Sequence, residues 1–140
     1  MLFKRIVKKR FVPGARPFLR LLENKEIELA LVTGTARHEV MRILPKGLFS
    51  MFSVVVTGDE VKRGKPHPEP YNKAIKELGI KPKEAIVIEN APFGIYSAKR
   101  AGLKCLALET SLPKSYLKDA DFIFKGFKEL RKKLNFISQS

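Results

Sequence analysis

From residue 23 onward, short apolar runs alternate with stretches in which apolar residues recur every third or fourth position. Residues 27–32, 54–56, 85–88 and 105–108 read as strands, and 122–124 as a shorter fifth. None alternates polar with apolar positions, which is the pattern of strands covered by helices on both faces. Residues 15–22, 36–44, 69–78, 94–101 and 127–134 read as helices. Phe18, Leu19 and Leu22 form one apolar stripe, and Tyr71, Ala74, Ile75 and Leu78 another. Gly79 and Gly102 stand just past two of these helices, the usual place for glycine, and 36–44 stops before Pro45. The alternation predicts an α/β chain, a doubly wound parallel sheet with ligand chemistry at the C-terminal ends of its strands.

Composition narrows the classes. A chain of 140 residues suits one domain, and 44% apolar with 30% charged residues is globular rather than disordered. A single cysteine, Cys105, excludes an intramolecular disulfide framework and fits a reducing, cytoplasmic compartment. No apolar run approaches the roughly 18 residues of a membrane span, and the basic N-terminus lacks a signal peptide's apolar centre. The formal net charge is +14, from 28 Lys and Arg against 14 Asp and Glu. Lys4, Arg5, Lys8, Lys9, Arg10, Arg16 and Arg20 precede any acid. Such a surplus attracts phosphate, in nucleic acid, lipid or a small substrate. A solvated lysine-rich surface, or the absence of an acidic part of a larger unit, accounts for it as well.

Three loops carry candidate chemistry. In Thr33-Gly34-Thr35-Ala36-Arg37 a buried strand ends at a hydroxyl and a glycine admits close backbone approach. Exposed N–H groups there, with the Thr33 hydroxyl, would cradle a phosphate; an ordinary helix N-cap is the alternative. In Arg63-Gly64-Lys65-Pro66-His67-Pro68-Glu69-Pro70-Tyr71, prolines stiffen the backbone around one ammonium group, suited to an anion or simply solvated. His67 reads as loop surface, since the other histidine, His38, is not at ligand spacing. In Glu89-Asn90-Ala91-Pro92-Phe93-Gly94, a carboxylate and an amide oxygen at a strand end suit Mg²⁺ beside a phosphate, or form a polar turn. Together, a hydroxyl-and-amide cradle, a fixed lysine and an oxygen pair are the electrostatic parts of phosphoryl transfer.

The order and spacing of these loops resemble the haloacid dehalogenase-like (HAD) hydrolase superfamily, in its branch of capped phosphatases and β-phosphoglucomutase. The similarity runs from about Pro13 to Leu134 and covers three of the family's four motifs. It implies a Rossmann-like core with helices on both faces, here incomplete, over residues 13–136. Residues 1–12 would be a remnant of cap or linker and 137–140 a frayed tail. By the resemblance, Thr33 and Lys65 are the catalytic residues present, and Thr33, Gly34 and Lys65 bind the phosphate. Arg37 lies near the substrate, and Glu89 with Asn90 helps hold Mg²⁺. The family usually has a second acid at Asn90, and an amide brings no negative charge.

The family's first motif, an apolar strand ending in Asp-x-Asp-Gly-Thr whose first Asp attacks phosphorus, is absent. Asp119-Ala120-Asp121 has the spacing but precedes its strand, and Thr33-Gly34-Thr35 has no aspartate. In the family's strand order the lost strand is central, between the strands at 29–32 and 85–88. Its loss leaves two unpaired inner edges. Another chain could supply it, residues 2–12 could fill the space with Phe3, Ile6, Val7 and Phe11 at near-helical spacing, or the edges could pair directly. The expected function is a Mg²⁺-dependent phosphohydrolase core acting on a phosphorylated small molecule and inactive alone. A non-catalytic phosphate-ligand-binding or partner-binding remnant is the alternative. A homodimer or a complementing N-terminal chain are the expected partners. A nucleic-acid-binding module ranks last, for want of a reading motif or aromatic stacking pattern, and no membrane is expected.

Overall fold

Gly14 takes a left-handed conformation (φ 84°) and starts helix α1 (Ala15–Asn24); a side chain there would press on the Cβ of Phe127. That approach seats α1 on the last helix, Phe127–Ile137, with the Phe18 and Phe127 rings 5.2 Å apart. The computed structural model describes the backbone at residues 6–7, 10–11 and 14–137, and side chains over 14–134. The elements are β1 (Ile6–Val7), β2 (Arg10–Phe11), α1, β3 (Ala30–Val32), α2 (Arg37–Ile43), α3 (Lys46–Phe49) and β4 (Val54–Val56). They continue with α4 (Glu69–Leu78), β5 (Ile86–Glu89), α5 (Pro92–Arg100), β6 (Lys104–Leu108), β7 (Phe122–Phe124) and α6 (Phe127–Ile137).

β3 and β4 form one parallel pair, and β5, β6 and β7 a second parallel sheet in that order. Leu29, Leu31, Ile88, Leu106 and Leu108 enter a core shared with α1 and α6. Val32, Val56, Val87, Cys105 and Ala107 enter a second core with α4 and α5. Neighbouring residues of one strand thus serve opposite cores, and helices cover both faces, as the unbroken apolar runs predict.

The two sheets are separate. Leu29 O accepts from Ser53 N, and Thr33 N donates to Val56 O, both at 2.9 Å. The odd-numbered residues of β3 therefore face β4, and Ala30 and Val32 turn their backbone groups the other way. Among the described residues no ladder joins β3 to β5. The expected break in the sheet is present among the described residues, and Ala30 and Val32 of β3 line one small cavity with Ile86 and Val87 of β5. Direct pairing of the two edges does not occur. β1 and β2 pair with each other, Ile6 opposite Phe11 and Val7 opposite Arg10, as short strands where the spacing predicts helix. The side chains of Phe3, Ile6, Val7 and Phe11 lie outside the described residues, as do Pro13 and the tail beyond Ile137.

Element ends differ from expectation for local reasons. β3 begins at Ala30 rather than residue 27, because β4 offers no partner beyond Ser53 and Ile27 is half exposed. α5 begins at Pro92, where a fixed φ and a missing N–H suit the first turn, two residues before Gly94. The single turn of α3 after Pro45 has no apolar repeat to announce it.

Candidate functional site

β3 ends at Val32 and β5 at Glu89, and one side chain reaches both. Lys65 Nζ donates to Val32 O at 3.0 Å and to Glu89 Oε1 at 2.7 Å, so the two sheets bring their C-terminal ends to one rim. The Lys65 side chain is 7% exposed and that of Glu89 wholly buried. Tyr71, on the inward face of α4, donates from its hydroxyl to the same Glu89 Oε1 at 2.7 Å, and its ring lies 5.2 Å from the Lys65 ammonium. Burial, then the Glu89 carboxylate, pushes the Tyr71 phenol well above its usual pKa, so it stays a donor. A side chain at Gly94 would overlap the Glu89 carboxyl carbon and both its oxygens. The glycine therefore lets the first turn of α5 close on the buried carboxylate.

The loop after β3 brings Thr33 to the same rim. Its Oγ1 accepts from Thr35 N at 3.1 Å, and the residue is nearly buried. It does not cap α2, whose N-cap is Ala36, so the ordinary N-cap alternative does not hold for Thr33. Gly34 packs against Gly58: a Cβ on Gly58 would meet the Gly34 carbonyl, and Gly58 N donates to Thr35 O at 2.9 Å. Asn90 follows Glu89, and its Nδ2 donates to Thr110 Oγ1 at 3.1 Å and Ser111 Oγ at 3.2 Å.

Arg37 is engaged by protein groups. Its Nε donates to Glu60 Oε1 at 2.9 Å, its Nη2 to Val55 O at 2.8 Å, and its backbone N to Asp59 Oδ1 at 3.1 Å. Thr57 Oγ1 is hydrogen-bonded to both Asp59 and Glu60. His67 Nδ1 accepts from Glu69 N at 3.1 Å, and its carbonyl receives Ser97 Oγ at 2.6 Å, tying the lysine loop to α5. Thr33, Gly34, Lys65, Glu89 and Asn90 thus come together, while Arg37 belongs to an adjoining network. Tyr71 and Glu60 were not legible as site residues: one lies in an apolar helical stripe, and the other is one of 14 acidic residues. Gly94 carried a signal only as a glycine inside a helical pattern.

Asp119 and Asp121 serve the frame. Asp121 accepts Cys105 N at 2.7 Å and Lys99 Nζ at 2.8 Å, and the Asp119 carboxylate stands near enough to Tyr96 to raise the phenol's pKa. Burial raises the pKa of Asp121, but Lys99 and the Cys105 amide outweigh it and hold the carboxyl below its usual value. The same balance, with Thr57 and Arg37 as the opposing groups, lowers Glu60, and Thr57 with the Arg37 amide lowers Asp59. Folded values below the unfolded ones mean that these carboxylates stabilise the fold above about pH 4–5. The contribution is lost as pH falls through the lower folded values. Denaturant midpoints should therefore be flat from pH 7 to about 5 and fall below about 4. Glu60 and Asp121 together account for about 1 kcal/mol, since solvent screens both.

The donor set does not by itself fit Mg²⁺. That ion asks for oxygen ligands with one or two available carboxylates. No group of three or more His, Cys, Asp or Glu side chains is placed to hold a metal among the described residues. Residues 1–13 and 135–140 contain no such side chain. What remains is one carboxylate already shared by an ammonium and a phenol, and a neutral amide.

Comparison with known proteins agrees with this geometry. The model of the haloacid dehalogenase-like hydrolase family matches residues 3–108. Validoxylamine A 7'-phosphate phosphatase of Streptomyces hygroscopicus subsp. limoneus is 39% identical over 121 residues, 86% of this chain and 57% of the relative. The phosphorylated carbohydrates phosphatase of Thermotoga maritima is 39% identical over 93 residues, 66% of this chain and 43% of the relative. Among solved structures, CbbY of Rhodobacter sphaeroides in complex with phosphate superposes with a TM-score of 0.78 at 29% identity. The match covers 84% of this chain and 55% of that one. The chain thus spans about half the length of the relatives it matches.

Proposed function

Because the chain belongs to the haloacid dehalogenase-like hydrolase family, we propose that it is the phosphate-holding core of a phosphohydrolase acting on phosphorylated small molecules. In this reading Thr33, Gly34 and Lys65 receive the phosphate, and the attacking aspartate comes from a strand outside these 140 residues. The observation that carries it is the Lys65 ammonium at one rim, bonded to Val32 O beside Thr33 at the end of β3 and to Glu89 at the end of β5, between two parallel sheets that are not joined. Preorganised donors aimed at developing phosphate charge do most of the catalytic work in phosphoryl transfer. Thr33 and the Gly34 amide would supply hydrogen bonds, and Lys65 a cation held from both sheets. Arg37 enters as the residue that fixes the neighbouring loop through Glu60, close to where a substrate would lie.

The nucleophile is a matter of inventory. The chain's aspartates are Asp59, Asp119 and Asp121; Asp59 and Asp121 are hydrogen-bonded within the frame, and Asp119 lies beside Tyr96 on α5. A second copy has the same sequence, so a homodimer brings no Asp-x-Asp-Gly-Thr either, which favours a complementing segment of different sequence. Mg²⁺, if used, needs carboxylates from that segment. Ala30 and Val32 on one edge and Ile86 and Val87 on the other are apolar, which suits a strand that is apolar on both faces.

That same inventory favours a second reading, a phosphate-ester-binding protein without turnover. Both readings require binding. Titration of the chain with p-nitrophenyl phosphate in a calorimeter should give a saturable heat, and Thr33→Val should weaken it by roughly tenfold or more, the worth of a hydrogen bond to a charged group. No heat with the unaltered chain would count against both.

A further inference from the structure

The end of β5 is built as a clasp. Glu89 Oε1 receives Lys65 Nζ and the Tyr71 hydroxyl, each at 2.7 Å, while Oε2 receives Asn90 N at 3.3 Å. A side chain at Gly94 would overlap the carboxyl group, so only glycine there lets α5 close on it. One residue on, Asn90 spends its amide nitrogen on Thr110 and Ser111, in the loop that follows β6. Charge balances without an added ion: one buried ammonium faces one buried carboxylate. A divalent cation entering here would add two positive charges to a neutral pair, with an amide oxygen as its only further strand-end ligand, and it would compete with Lys65 for the same oxygen. Burying charge without a matching partner is costly.

We infer that Glu89 and Asn90 in these 140 residues form a protein-only clasp and not a divalent-cation site. Glu89 is a positioning residue that holds the Lys65 ammonium between the two sheets, and Asn90 ties β5 to the loop at 110–111. The neutral amide at residue 90 is what excludes the cation. This concerns the same rim as the proposed phosphate site, but it rests on donor geometry and holds whether or not a phosphate ester binds.

Thermal melts of the unaltered chain, Glu89→Gln and Asn90→Asp, each in EDTA and in about 10 mM MgCl₂, test it, since a ligand of the native state raises Tm by mass action. The unaltered chain should melt at the same temperature in both. Glu89→Gln should melt roughly ten degrees or more lower by the same margin in both, because what it loses is the grip on Lys65. Asn90→Asp should melt lower in EDTA, where two carboxylates stand side by side, and recover several degrees in Mg²⁺. A rise in Tm of the unaltered chain with Mg²⁺, or a Glu89→Gln loss confined to the Mg²⁺ melts, would overturn the inference. An Asn90→Asp chain indifferent to Mg²⁺ would overturn the assignment to the amide. Should Glu89→Gln fail to fold, calorimetric titration of MgCl₂ into the unaltered chain decides: no saturable heat agrees, and saturable binding contradicts.

Discussion

Lys65→Met should lower the unfolding free energy by about 3–5 kcal/mol, the usual loss when one partner of a buried ion pair is removed. The methionine fills most of the lysine stem's volume, so packing is kept while Glu89 loses its cation. The Glu89 side chain is fully buried, and the Tyr71 hydroxyl and the Asn90 amide remain to it as neutral donors. They satisfy hydrogen bonds but leave the charge unbalanced. Val32 O also loses its donor, on the edge of β3 that has no strand beside it among the described residues. Glu89→Gln should cost a similar amount, by leaving the ammonium unbalanced. The double variant Lys65→Met with Glu89→Gln should cost less than the sum of the two by about 2 kcal/mol or more, because neither charge is then left alone. Guanidinium unfolding of the four proteins at pH 7 measures this, and additive losses would show that the two charges are not coupled.

Much of this rim was legible residue by residue. Thr33 and Glu89 stand where an apolar strand gives way to a turn, and Lys65 in a proline-marked loop further on from β4, and such turns are written in neighbouring positions. The helix stripe of Phe18, Leu19 and Leu22 likewise predicts its buried face, and all three are in the core. The contacts among these residues were not legible, because they join positions far apart in the chain. Tyr71 reads as one more apolar residue of α4 until the fold sets its hydroxyl on Glu89. Arg37 reads as a residue free to meet a ligand until Glu60 and Val55 appear beside it. The short β3 illustrates the same limit, since its apolar run begins at Ile27 but a ladder needs a neighbour, and β4 supplies one only from residue 53 onward. The two separated parallel edges were expected from a missing motif and not from any property of the strands themselves.

Turnover is the largest effect at stake. An aspartyl nucleophile divides phosphoryl transfer into two easier steps, and removing an enzyme's nucleophile commonly costs a thousandfold or more. The chain alone, given p-nitrophenyl phosphate and Mg²⁺, should hydrolyse none above buffer. Mixed with a separate polypeptide carrying an apolar strand that ends in Asp-x-Asp-Gly-Thr, it should gain at least about a thousandfold. The same polypeptide with its first Asp changed to Asn should give no gain, and Thr33→Val in the chain should reduce whatever gain is seen. The direct test is that mixing experiment. Hydrolysis that appears only with the aspartate-bearing strand is the predicted result. Hydrolysis by the chain alone, or no hydrolysis with the strand bound, would contradict the assignment of these residues as the phosphate-holding half of the site.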